Sequence, residues 1–181
     1  LWDAEKESEI VQEIGHRVTA IIKAVRRVSD TSGNTVGVLH PVATLLHSLL
    51  HATSTDGMQI WVKLPELTFG APDGYETGDW RDPFVFRDEA AGQWRMLLAA
   101  RHSAGPERRR GVIAQCVSTD LMTWRHTEPF WDPRRYITHE CPDVFVWGDW
   151  WYMVYSEFSE SFTTRYRMAK SPDGPWTVPD L

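Results

Sequence analysis

From His51 onward, apolar residues come in short runs broken by glycine, proline and Ser-x-Asp turns, a pattern that predicts β-strands throughout. Phe84–Phe86, Trp94–Ala100, Gly111–Val117 and a strand opening at Trp124 form one run of four. Val144–Trp147, Trp150–Phe158, Thr164–Ala169 and a strand opening at Trp176 form a second. Gly92 and Gly148-Asp149 supply tight turns between the first two strands of each run. Ser54-Thr55-Asp56, Ser118-Thr119-Asp120 and Ser171-Pro172-Asp173 are each followed by a tryptophan (Trp61, Trp124, Trp176).

Before residue 50 the pattern changes. Ile10, Ile14, Val18, Ile21, Ile22, Val25 and Val28 recur at three-to-four spacing with charges between them, which predicts an amphipathic helix. Ser29–Asn34 reads as a polar turn, and Val36–Leu50, interrupted by Pro41, fits either a short helix or a strand. The expected organisation is a helical segment over 1–43 and a β domain over 44–181. Four antiparallel strands repeating every 55 to 65 residues or so correspond to one blade of a β-propeller. Residues 83–181 are thus expected to form two nearly complete blades, with 44–64 closing an earlier one. A closed ring needs at least about four blades, so the expected fold is a partial propeller.

Composition narrows the partners. A net charge of −6 argues against a nucleic-acid partner. The basic run Arg108-Arg109-Arg110 reads as a solvated hairpin tip. The absence of an 18-residue apolar stretch excludes a helical membrane span from the expectation. Cys116 and Cys141 form neither a disulfide framework nor a zinc-ligand spacing, and both are expected reduced and at least partly buried. No metal or cofactor is expected. The acidic start Leu1-Trp2-Asp3 is unlike a signal peptide, which favours a cytoplasmic location, and it lacks an initiator Met, so the natural start is expected upstream. Ten tryptophans, nine of them at Trp61 or later, suit strand packing and, for the remainder, the flat C–H faces of a sugar.

The candidate chemistry lies in two proline-led motifs, Trp80-Arg81-Asp82-Pro83 and His139-Glu140-Cys141-Pro142-Asp143, whose prolines are 59 residues apart. Each places a carboxylate ahead of the proline, Asp82 in one and Glu140 in the other, at what the repeat predicts to be equivalent places. These segments, together with Ala52–Lys63, resemble glycoside hydrolase family 32, whose members include invertases, levanases and inulinases. The resemblance spans residues 44–181. It implies a five-bladed propeller, a carbohydrate substrate of the β-fructoside type and a retaining two-carboxylate mechanism. That chemistry needs two carboxyl groups about 5–5.5 Å apart, one attacking or stabilising the sugar cation and one protonating the leaving group.

By the resemblance, Glu140 is the general acid/base, and Asp82 holds fructosyl hydroxyls and supports the transition state. Arg81, Trp80, His139, Cys141 and Arg101 are then expected at the substrate, with His139 and Cys141 placed to tune Glu140. The bland alternatives are a turn cap for Asp82 and a surface pairing of Glu140 with Arg134 or Arg135. Asp143 reads as a strand-start acceptor.

One departure is serious. The family's nucleophile sits in a Trp-Met/Leu-Asn-Asp-Pro-Asn-Gly motif, and nothing in this chain matches it; neither Asp3 nor Asp30 has the strand context. The expectation is negligible hydrolysis by these 181 residues alone. Alternatives are a propeller glycosidase acting on arabinosides or xylosides, and a non-catalytic sugar-binding module that self-associates through the N-terminal helix.

Overall fold

Among the described residues, nine strands make up three antiparallel sheets in chain order, each built from consecutive segments. The computed structural model describes residues 48–53 and 59–178, all within one compact unit. The expected helix over 5–28, the turn at 29–34 and the Ser54–Asp56 turn lie outside the described residues. So does the part of Val36–Leu50 before Ser48; its last three residues are strand.

Strands β1 (Ser48–Thr53) and β2 (Val62–Gly70) form a two-stranded sheet. Strands β3 (Tyr75–Asp88), β4 (Gln93–His102), β5 (Gly111–Ser118) and β6 (Arg125–His126) form the second, in that spatial order. Strands β7 (Thr138–Trp147), β8 (Trp150–Phe158) and β9 (Phe162–Ala169) form the third, and a bridge from Thr177 to Met168 extends it where a fourth strand was expected. Gly92 and Gly148 turn the first hairpin of the second and third sheets at φ 63° and 58°, a region open to glycine without cost.

Strands β4 and β5 of the second sheet are buried on both faces. The β4 run Met96-Leu97-Leu98-Ala99-Ala100 therefore reads as continuously apolar rather than alternating. Leu98 and Ala100 pack with Trp80, Val112 and Ala114 against Leu49 and Phe69 of the first sheet. Leu97 and Ile113 face the other way, onto Val144, Met153 and Tyr155 of the third. Five of the ten tryptophans serve this packing: Trp131, Trp151 and Trp176 lie against the second cluster and Trp80 and Trp124 belong with the first.

Two irregularities position the motifs. Arg81 pairs with Ala99 and Phe84 with Leu97, so Asp82 and Pro83 together oppose the single residue Leu98. Glu140 pairs with Ser156 and Asp143 with Val154, so Cys141 and Pro142 oppose Tyr155. Both are β-bulges, and in each the second extra residue is a proline, which has no N–H to leave unpaired. The first extra residues, Asp82 and Cys141, take φ of 55° and 48°, an uncommon conformation for a side-chain-bearing residue.

The hairpin tip behaves as expected only in part. Arg108 and Arg109 sit on an exposed single turn, and Arg108 meets Glu160 at the surface. Arg110 instead folds back, and its Nη1 lies 2.9 Å from Glu76 Oε1.

Candidate active site

The two bulges dock onto each other. The backbone N–H of Cys141 donates to Asp82 Oδ2 at 3.2 Å, and the Cys141 thiol lies 3.7 Å from the same oxygen. Arg81 Nη2 donates to Glu140 Oε1 at 2.6 Å, while Arg81 Nε is 4.0 Å from Asp82 Oδ2. Each contact between the two bulges joins residues 59 apart, so the repeat itself is the pairing rule. Glu140 occupies the place in its bulge that Arg81 occupies in the other, and Asp82 matches Cys141. This corrects the expectation that Asp82 and Glu140 are equivalent. They differ by one residue, and in a strand one residue changes the face. A cation thereby faces a carboxylate, and a carboxylate faces an N–H, where strict equivalence would oppose two acids.

Charge continues along the strands. A second Arg81 nitrogen, Nη1, contacts Asp79 Oδ1 closely. Arg101 Nη1 lies 3.4 Å from Glu76 Oε2 and 3.7 Å from Asp79 Oδ2. These acids come from an arc, Glu76–Asp79, that bows out of the ladder between the pairs Tyr75–His102 and Trp80–Ala100. Residues 76 to 79 face only Arg101 across the ladder, so their carboxylates close around its guanidinium. Four carboxylates (Glu76, Asp79, Asp82, Glu140) thus share three guanidiniums (Arg81, Arg101, Arg110). The side chains of Arg81, Asp82 and Glu140 are 24–29% exposed, which leaves the cluster open to solvent.

Two expected substrate contacts are withdrawn from the surface. Trp80 is 1% exposed, with its ring edge-on to Tyr75 in the core, so it offers no face to a sugar. Its neighbours Leu98 and Ala100 are apolar, and burying the indole there outweighs any exposed use. His139 is fully buried among Trp131, Tyr136 and Tyr155. Burial pushes its imidazole down to about 4, helped by the Arg167 and Arg135 charges, against the Gly111 backbone and Asp132, which favour protonation. It stays neutral and supports β7 from behind. Gly111 lets it do so: a Cβ there would lie 2.8 Å from the Thr138 backbone.

The two cysteines divide. Cys116 is buried as expected, whereas Cys141 is exposed. The bulge turns it out of the sheet. Even so, partial desolvation and then the charge of Asp82 and Glu140, opposed by Arg81, push its thiol up to about 11. It remains an S–H group, able to donate to Asp82.

Asp79 and Glu76 were not foreseen. The spacing Asp79-x-Arg81 was the available signal, since residues two apart share a strand face. Glu140 takes Arg81 rather than Arg134 or Arg135; Arg134 pairs with Asp132 instead. Asp143 is buried in β7. Among the described residues, no group of three His, Cys, Asp or Glu side chains is arranged to hold a metal ion.

The profile described as "Glycosyl hydrolases family 32 N-terminal domain" matches residues 48–169. No curated protein matches the sequence closely enough to count as a relative. Among solved structures, the chain is similar to a Bombyx mori GH32 β-fructofuranosidase, a mutant in complex with sucrose. The two are 18% identical with a TM-score of 0.50, over 68% of this chain and 31% of that one. It is also similar to a family 117 glycoside hydrolase of Zobellia galactanivorans (21% identity, TM-score 0.44, 74% of this chain and 44% of that one). An endo-arabinase from Bacteroides thetaiotaomicron matches at 21% identity and a TM-score of 0.41, over 55% and 34%. The chain therefore spans less than half the length of each of these structures.

Proposed function

The chain belongs to glycoside hydrolase family 32, and from that premise we propose that its docked bulges are part of a β-fructoside-hydrolysing site. In this reading the three sheets are successive blades of a five-bladed propeller, with β3 and β7 innermost. Asp82 holds the hydroxyls of a fructosyl unit, and Glu140 protonates the departing oxygen before activating water by the reverse transfer.

The observation that carries the proposal is the paired contact of Asp82 with the Cys141 N–H and Arg81 with Glu140. It sets two carboxylates on adjacent rigid strands and fixes one oxygen of each. Asp82 Oδ2 and Glu140 Oε1 are engaged, so Asp82 Oδ1 and Glu140 Oε2 are the oxygens offered to ligand. The strain of φ 55° at Asp82 supports the same conclusion, because such conformations persist where geometry is used.

No motif in the chain matches the family's nucleophile. The test therefore reads binding before turnover. The 181-residue protein is titrated with fructose and with arabinose by ¹⁵N NMR, alongside Asp82→Asn and Glu140→Gln. The expected result is fructose-induced shifts at Arg81, Asp82 and Cys141, weakened at least about tenfold by Asp82→Asn, with no measurable sucrose hydrolysis. Preference for arabinose would move the site to the arabinoside class, and no binding of either sugar would remove the proposal.

A further inference from the structure

The ribbon formed by β3 and β4 has two faces, and the carboxylate–arginine cluster uses only one. Arg101 points to that side. Its neighbour His102 points to the other, with Tyr75, Trp80 and Ala100. There, a cavity of about 640 Å³ opens, lined among others by Tyr75, His102, Arg125, His126, Glu128 and Asp132. That volume falls within the roughly 300–1,000 Å³ range of small-molecule sites. None of its lining residues belongs to the Arg81–Glu140 cluster.

We propose that this cavity is a second carbohydrate-contact site, taking a neutral sugar unit on the opposite face of the ribbon from Asp82 and Glu140. The choice of ligand class rests on the family reading above. The choice of place rests on the cavity's own chemistry.

Three aromatic rings line the cavity: Tyr75 stacks on His102 with centroids 5.5 Å apart and planes at 20°, and His126 stands edge-on to Tyr75 at 5.2 Å. The ring faces not used in that stacking suit the C–H surface of a sugar ring. The remaining lining groups are hydrogen-bonding. Asp132 Oδ2 accepts from His102 Nε2 at 3.1 Å and from Arg134 Nε at 2.9 Å, which fixes the carboxylate. Glu128 and Arg125 are exposed at the cavity edge with rotatable side chains free to adjust. The Tyr75 phenol is pushed up to about 12 by burial and by the charges of Asp132 and Glu128, so it stays a donor.

Charge selects among ligands. Two carboxylates (Glu128, Asp132) balance two guanidiniums (Arg125, Arg134), and Arg134 is already held by Asp132. With no net formal charge, the lining gives an anion no electrostatic advantage over a neutral ligand. Vicinal hydroxyls, which donate and accept together, match this mixture of groups.

The test maps amide shifts of the ¹⁵N-labelled 181-residue protein on titration with an inulin-type oligosaccharide of about four units, and separately with fructose 6-phosphate. Two sets of shifts are expected, one at Arg81–Asp82 and Glu140–Cys141, the other at Tyr75, His102 and residues 125–129. Arg125→Gln and Glu128→Gln, at exposed positions, should each raise the dissociation constant of the second set at least about fivefold and leave the first unchanged. Shifts confined to the first set would overturn the second site while sparing the proposed function. Shifts confined to the second would do the reverse, and shifts at neither would overturn both. Tighter binding of fructose 6-phosphate at the second set would overturn the neutral-ligand assignment.

Discussion

His139 sits directly before the candidate acid Glu140, fully buried, with ring centroids of Trp131 and Tyr155 at 5.0 and 5.4 Å. Its value of about 4, against 6.5 for a free imidazole, makes it a sensor of acid stability. Above pH 6.5 both the folded and unfolded chains hold it neutral, and its contribution is complete. Between 6.5 and about 4 the unfolded chain takes a proton that the folded chain refuses, so folding stability falls. Below 4 both forms are protonated and the loss is finished. At about 1.4 kcal/mol for each pH unit across that interval, the loss comes to about 3 kcal/mol. Few domains hold more than about 15 kcal/mol in total, so the effect is readily measured.

Other titrations separate from it. Asp120 is held down to about 2 by the backbone N–H groups of Thr123 and Met122 and by Ser118, and Asp88 is also lowered, so both act below the His139 interval. His126, lowered by burial, acts in the same direction within that interval and needs its own control. The assay is urea unfolding followed by tryptophan fluorescence at pH 7.5, 5.5 and 4.5, for the unmodified chain, His139→Phe and His126→Phe. His139→Phe keeps a neutral ring among the aromatics and is expected to remove most of the fall in stability. An unchanged pH slope in His139→Phe would refute the buried neutral imidazole.

Two further predictions concern packing and reactivity. Arg95 and Asp88 are 9% and 4% exposed and joined at 2.8 Å, with Asp173 at 2.7 Å from Arg95 Nη1. Asp88→Asn removes the buried anion of this cluster and leaves Arg95 with Asp173, which is exposed, and Gln115, so it should cost about 2 kcal/mol in urea unfolding; a change under about 0.5 kcal/mol would contradict it. The Cys141 thiol, pushed up to about 11 from 9.0, should alkylate with iodoacetamide near pH 7.5 roughly 100-fold more slowly than a free cysteine, because only the thiolate reacts. Rapid alkylation at the rate of a small thiol would show that its surroundings are not desolvated.

The strands were legible because their signals are local. The run at 94–100, the glycine turns at 92 and 148, and the Ser118-Thr119-Asp120 turn, in which Asp120 accepts from Met122 and Thr123, all lie where the pattern placed them. The two motifs were legible for the same reason, since each is marked by a proline at the head of an apolar run, but that each is a bulge emerged only from the strand register. Trp80 and His139 were misplaced because residue type says what a side chain can do, not which face its strand presents. A tryptophan suits a sugar and a core equally well, and the bulges reset the alternation that would have decided. Asp79 and Glu76 were overlooked because their arc exists only once β3 is paired with β4.

Chain order, strand content and the return of a proline-led motif after 59 residues come from local propensity and periodicity, and the amino-acid order alone determined them. Which charge meets which was decided only by tertiary structure. The extra residue in each bulge changes the facing of everything after it, and the two bulges meet only when separate sheets pack. That packing set Arg81 on Glu140 and the Cys141 N–H on Asp82. It also left Tyr75 and His102 facing a cavity on the opposite side, because contact across sheets depends on register and burial summed over the whole core.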